Sequence, residues 1–234
     1  LGSLGPVGLA ATLGFASGAM LYVVLAGMKE IAWLNLINAI LMYVSLIAVF
    51  ICLCRNLPGG WDAVQQTMES SQETEWMTSI FGNSALIIGF AIPSALGASL
   101  FHGMAQTGYQ PVATARSNKE VKKSIWFAGT INGCFCILPA LIGIAAFSII
   151  SYREAGPMMM SPMMIIELCP KWVVALLAMG FLGVDLSSFA VMALAPATII
   201  SHDMYTLYKP NATEAEKTKL SRILIFVIGV ISIL

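Results

Sequence analysis

Charge is scarce in this sequence. Lys and Arg together number 12 and Asp and Glu another 12, so 10% of the 234 residues are charged and the net charge is zero. A soluble domain keeps roughly a quarter of its residues charged, so composition excludes one. No basic block is present, and with it goes the footprint of a nucleic-acid binder. Cysteine is thin as well. Cys52, Cys54, Cys134, Cys136 and Cys169 lie in or beside apolar runs. The i,i+2 pairs Cys52/Cys54 and Cys134/Cys136 do not share a helix face, so they read as apolar packing and not as a disulfide framework. No Walker loop, HExxH, GxSxG or glycine-rich dinucleotide fingerprint occurs, so nothing points to an enzyme. No cleavable signal peptide is visible.

What is abundant is apolar surface. Hydrophobic residues make up 58% of the chain and the mean hydropathy is +0.84. A membrane helix needs about 20 mostly apolar residues, and six runs qualify: about 6–27, 31–54, 84–106, 124–151, 172–206 and 221–234. All should be helical, because an isolated strand in lipid leaves backbone groups unpaired. The expectation is an all-α polytopic membrane protein with a single transmembrane domain over 1–234. Leu1-Gly-Ser-Leu has no initiator Met and Ile225–Leu234 stops inside an apolar run, so the chain reads as truncated at both ends.

The connections set the orientation. Six helices place Lys29, Arg116, Lys119, Lys122, Lys123, Lys209, Lys217, Lys219 and Arg222 on one side, and Arg55, Arg153 and Lys171 on the other. By the positive-inside rule the 107–123 and 207–220 loops face the cytoplasm and the polar 55–83 loop lies outside. The Met-rich stretch Pro157–Met164 reads as an apolar loop on the outer surface, in preference to a copper site built on thioethers.

Two runs are irregular. Gly89-Phe-Ala-Ile-Pro93-Ser-Ala-Leu-Gly97 combines a residue that removes a backbone bond with residues that permit unwinding, so it reads either as a broken helix beside a cavity or as a proline kink. The run 172–206 is too long for one bilayer at 1.5 Å per residue, so it must tilt or extend beyond the hydrocarbon.

Polar groups deep in apolar runs mark candidate sites. Phe181-Leu-Gly-Val-Asp185-Leu-Ser187-Ser188 holds a carboxylate and two adjacent hydroxyls. Asp185 and Ser188 share a helix face, and Ser187 lies one step around. Two hydroxyls and the Val184 carbonyl would suit a small hard cation such as sodium; the hydroxyls can equally bond back to the preceding turn. A buried Asp185 needs a cation, a proton or a donor. Asn132 either faces a substrate or joins two helices by a hydrogen bond. Asn35 and Asn38 follow Trp33 and read as interfacial. His102 and Gln106 end the third run on one face, and a lone membrane histidine serves a hydrogen bond more often than a metal.

Four stretches together resemble the sodium:solute symporter family. Tyr22-Val-Val-Leu-Ala26-Gly27-Met28-Lys-Glu-Ile-Ala-Trp33 resembles that family's glycine-containing hairpin and following Trp. Gln106-Thr-Gly-Tyr-Gln110-Pro-Val-Ala-Thr-Ala-Arg116-Ser resembles its cytoplasmic segment. Leu141-Ile-Gly143-Ile-Ala-Ala-Phe147 resembles the end of the following helix, and Ser187-Ser188 with Asp203-Met-Tyr205 the sodium-site helix and its exit.

The resemblance implies that the six runs are core helices four to nine of a LeuT-like, five-plus-five inverted-repeat transporter fold. It implies an integral protein of the cell membrane (plasma or inner) that couples sodium to uptake of a small organic solute, such as an amino acid, carboxylate, vitamin or sugar, by alternating access. No cofactor is implied beyond sodium as coupling ion, and the partners are solute, sodium and bilayer. Ser187 and Ser188 match the family's sodium-binding hydroxyl pair, with the Val184 carbonyl beside them. Phe101 matches the aromatic that closes the substrate pocket and Asn132 a pocket-facing polar position. Ala98 falls where a sugar-transporting member has a substrate-binding Asn, which argues against sugar. Two departures stand out. Trp33-Leu-Asn35-Leu-Ile-Asn38 lacks the carboxylate of the family's Trp-Thr-Asp-x-x-Gln, and Asp185 adds one beside the serine pair. Proton coupling through Asp185 and a membrane sensor domain of a signalling protein are the alternatives.

Overall fold

The computed structural model describes residues 28–72, 74–79, 81–105 and 115–233, with isolated positions 5, 14, 17, 18, 21, 108, 112 and 113. The expected first run, 6–27, therefore lies outside the described residues apart from single positions, as do Gln106 and the side chain of His102. The described elements are helical. They are α1 (Met28–Asn56), α2 (Gly60–Glu69), a 3₁₀ turn (Glu75–Thr78), α3 (Ser84–Leu86), a π segment (Ile87–Ala91), α4 (Ile92–Met104), α5 (Asn118–Phe135), α6 (Ile137–Ser148), α7 (Ile150–Arg153), α8 (Met160–Leu168), α9 (Lys171–Thr198), a second π segment (Ile199–Met204), α10 (Tyr205–Tyr208) and α11 (Glu214–Ile233).

Four spans among the described residues are long and apolar enough to cross a membrane: Ala32–Asn56, Ser84–Phe101, Asn118–Ser148 and Lys171–Tyr208. They coincide with four of the six expected runs. The expected sixth run forms the later turns of α11, whose earlier turns carry Glu214, Glu216, Lys217, Lys219 and Arg222. That helix opens on a capping box. Thr213 N–H donates to Glu216 Oε2 at 3.0 Å, and the Glu216 N–H donates back to Thr213 Oγ1 at 3.3 Å. Lys209 donates to the same carboxylate and holds Glu216 below the usual carboxylate range.

The chain divides into two compact units, Leu1–Ala39 with Leu182–Leu234, and Ile40–Phe181. In the second unit one row of α1, Leu46, Val49 and Leu53, recurs at three and four residues and is buried, Val49 and Leu53 completely. It packs with Ile142, Ala145 and Ala146 of α6 and Val173 and Leu177 of α9. Polar connections supply part of this core. The 55–83 loop contains the amphipathic α2, which buries Val64 and Met68 one turn apart. The Met-rich stretch is a helix in part: Met164 of α8 is wholly buried, whereas Met158 before it is 88% exposed. Its fate follows from the plasticity of the thioether, which fills irregular gaps. Burial, and then the neighbouring Cys52, pushes the Cys169 thiol up to about 12, so it packs as an inert apolar group.

Three local differences from the sequence-based expectations have simple causes. The helix expected from about 124 begins at Asn118, because Ser117 accepts the Glu120 N–H at 3.3 Å and caps a charged first turn. The same run changes helix at Cys136, which places Pro139 in the first turn of α6, where its missing N–H costs nothing. Around Pro93 the backbone stays helical. The wider turn Ile87–Ala91, closed by the Ile92 N–H on the Ile87 carbonyl, absorbs the lost bond, so the chain does not unwind there. The long run stays helical over the 38 residues Lys171–Tyr208. At 1.5 Å per residue that is about 57 Å, well beyond a hydrocarbon layer of about 30 Å.

Close helix approach in this unit depends on Gly180. A Cβ there would sit 2.6 Å from Ser45 Oγ and 3.3 Å from Met42 Cα, and Ser45 is itself buried with its hydroxyl donated to the Met42 carbonyl. Gly180→Ala should therefore cost about 1–3 kcal/mol through overpacking. Thermal unfolding of the purified protein in detergent checks this, and an unchanged midpoint would show that the helices separate there without penalty.

Candidate functional site

The expected ion residues lie on one stretch of α9. Val184 and Ser187 are half-buried, while Asp185 and Ser188 are exposed. Ser187 makes two hydrogen bonds. Its hydroxyl donates to the Gly183 carbonyl at 2.8 Å, the back-bond to the preceding turn. It also accepts the Nδ2–H of Asn38, on α1, at 2.9 Å. Gly183 is buried beneath that amide: a Cβ added there would lie 3.0 Å from Asn38 Oδ1. One turn before Asn38, the Oδ1 of Asn35 is buried without a hydrogen-bond partner among the described residues.

The two asparagines read from sequence as interfacial are therefore half-buried, and one of them contacts the predicted site. The available signal was their i,i+3 spacing on an apolar helix, which puts both amides on one face. What no local pattern supplies is the partner, 149 residues away.

The expected substrate residues lie in the other unit. Ala98 and Phe101 share a face of α4 at i,i+3 spacing, and Phe101 is 65% exposed. Asn132 of α5 accepts the Tyr43 hydroxyl at 2.8 Å, and the Tyr43 ring meets Phe135 edge-on with centroids 4.5 Å apart. The oxygen of Asn132 thus joins two helices, one of the two roles open to it from sequence. Cavities of about 370, 390 and 540 Å³ in this unit are lined by other residues, and none of these linings includes Ala98, Phe101 or Asn132.

A sequence model of the sodium:solute symporter family matches residues 6–234. The chain belongs to that family. No solved structure matches it. Sodium:solute symporters are membrane transporters with sodium as the coupling ion, and the four long apolar helices suit a symporter's place in a bilayer.

The Tyr43–Asn132 bond has a measurable value. Interhelical hydrogen bonds in membrane proteins average about 0.6 kcal/mol and reach about 1.7. Tyr43→Phe, which keeps the ring contact with Phe135, should lower stability by that amount and leave the sodium dependence of transport unchanged. Unfolding and uptake measured on the same preparation test the pair of outcomes, and a changed sodium dependence would show that the bond does more than pack helices.

Proposed function

We propose that this symporter couples inward sodium flow to uptake of a small organic solute by alternating access, with Ser187, Ser188 and the Val184 carbonyl supplying oxygens to the sodium ion. The observation that carries the reading is the family match over residues 6–234, within which the adjacent Ser187 and Ser188 lie. Ser187 makes the ordinary back-bond to the Gly183 carbonyl, and its oxygen can still accept, which is compatible with a hard cation. Ser188 adds a neighbouring hydroxyl and exposed Asp185 a carboxylate within the same turn. That carboxylate raises the local cation concentration.

Sodium binding that favours one conformation raises solute affinity in that conformation, and its release to the cytoplasm allows the return. Ala98, Phe101 and Asn132 are the proposed solute contacts. With its oxygen held by Tyr43, Asn132 meets the solute through its amide N–H₂. The short Ala98 side chain offers no hydrogen bond to a sugar hydroxyl, which favours amino acids, carboxylates or vitamins. The 107–123 and 207–220 loops are cytoplasmic in this reading, and the membrane is the plasma or inner membrane.

Ser188→Ala in the full-length protein should raise the sodium concentration for half-maximal uptake about tenfold, equivalent to about 1.4 kcal/mol, with a smaller effect on the amount of protein in the membrane. Sodium activation identical to the parent would remove Ser188 from the ion site. Uptake that follows pH, ignores sodium and is lost in Asp185→Asn would make the proton the coupling ion.

A further inference from the structure

Among the described residues, Ser187 is held from two directions by groups that leave it a single free position. A hydroxyl has one proton and two lone pairs. The proton goes to the Gly183 carbonyl at 2.8 Å and one lone pair takes the Asn38 Nδ2–H at 2.9 Å. One lone pair remains. The two restraints differ in kind. The first is the ordinary back-bond of a helical serine, also made by Ser99, Thr130 and Thr198 in this chain. The second comes from a different helix and has a seat cut for it: Gly183 is buried, and a Cβ there would stand 3.0 Å from Asn38 Oδ1, 3.1 Å from its Cγ and 3.2 Å from its Cβ. Ser187, its back-bond acceptor and the seat of the amide are thus one turn of α9, with Asn38 laid across it.

We infer that Asn38 is a positioning residue for ion coupling: seated on Gly183, its amide fixes the Ser187 hydroxyl in one rotamer and aims the remaining lone pair at the ion. The inference rests on the proposed role of Ser187 as a sodium ligand. Asn38 does not itself touch the ion. A serine side chain has three staggered wells, and its back-bond alone tolerates more than one approach to the carbonyl. Without the amide, sodium must order the hydroxyl as it binds, and the hydroxyl spends time with its proton turned toward the ion. The effect falls on sodium affinity and not on the solute pocket. Gly183 carries the same function from the opposite side, since any side chain at 183 displaces the amide from its seat.

The test is sodium-activated uptake by the full-length transporter carrying Asn38→Ala, Gly183→Ala, both together, and Ser187→Ala in parallel. Asn38→Ala and Gly183→Ala should each raise the half-activating sodium concentration about three- to tenfold, with the solute KM at saturating sodium within twofold of the parent. The double variant should be no worse than the poorer single variant, because both remove one contact. A helix-packing role alone predicts a different pattern: less protein in the membrane with unchanged sodium affinity. That pattern overturns the inference. If Asn38→Ala does not reach the membrane, Asn38→Ser, too short to reach Ser187, replaces it with the same expected shift. Sodium affinity altered by Ser187→Ala but not by the Asn38 and Gly183 variants would remove Asn38 from the mechanism and leave the ion site standing. Sodium affinity altered by none of them would remove both.

Discussion

A polar side chain carried into hydrocarbon has no water to fall back on, so its partner must come from the protein. Most hydroxyls here meet that demand locally. Ser99 donates to Ala95, Thr130 to Trp126, Ser148 to Ala145 and Thr198 to Leu194, each within one turn of its own helix. Such groups are satisfied before any tertiary contact forms and contribute little specificity. Two helix amides bond much farther away: Asn132 and Asn38 pair with residues 89 and 149 positions distant. Those long-range bonds tie particular helix faces together, and one of them lands on the serine pair.

The same demand explains the glycines that matter. Gly180 and Gly183 lie one turn apart on α9, and each has the polar side chain of an α1 residue pressed to its backbone, Ser45 in one unit and Asn38 in the other. In lipid, where apolar surface gains nothing by leaving apolar surface, close backbone approach is a principal source of helix association. The missing Cβ provides it.

Much of the architecture was legible because run length and hydropathy are local quantities. Four of the six runs reappear as helices with ends within a few residues of those read from the sequence, apart from the start of α5 at Asn118. That start was misplaced because Lys119, Lys122 and Lys123 look like a loop, although Ser117 and Glu120 already spell a cap. α2 and α8 were hidden for a related reason: each buries only a pair of residues, Val64 with Met68 and Met164 with Ile165, too few to stand out from a polar or Met-rich stretch. The serine pair stood out as a candidate because hydroxyls beside a carboxylate are conspicuous in an apolar helix. Its amide partner was not, since proximity over 149 residues has no local signature.

The wide turn at Ile199–Met204 acts as one residue slipped into an α-helix. Each residue advances the helix face by about 100°, so everything from Tyr205 onward is rotated by that amount against a wheel drawn from the serine pair. The slip changes which side chains stand in line with the serine pair. Ser201 inside the turn is fully buried while His202 and Asp203 beside it face outward. A change of this turn back to regular α-helix would turn the whole outgoing end like a key, swapping the faces of α10 without moving the serines themselves.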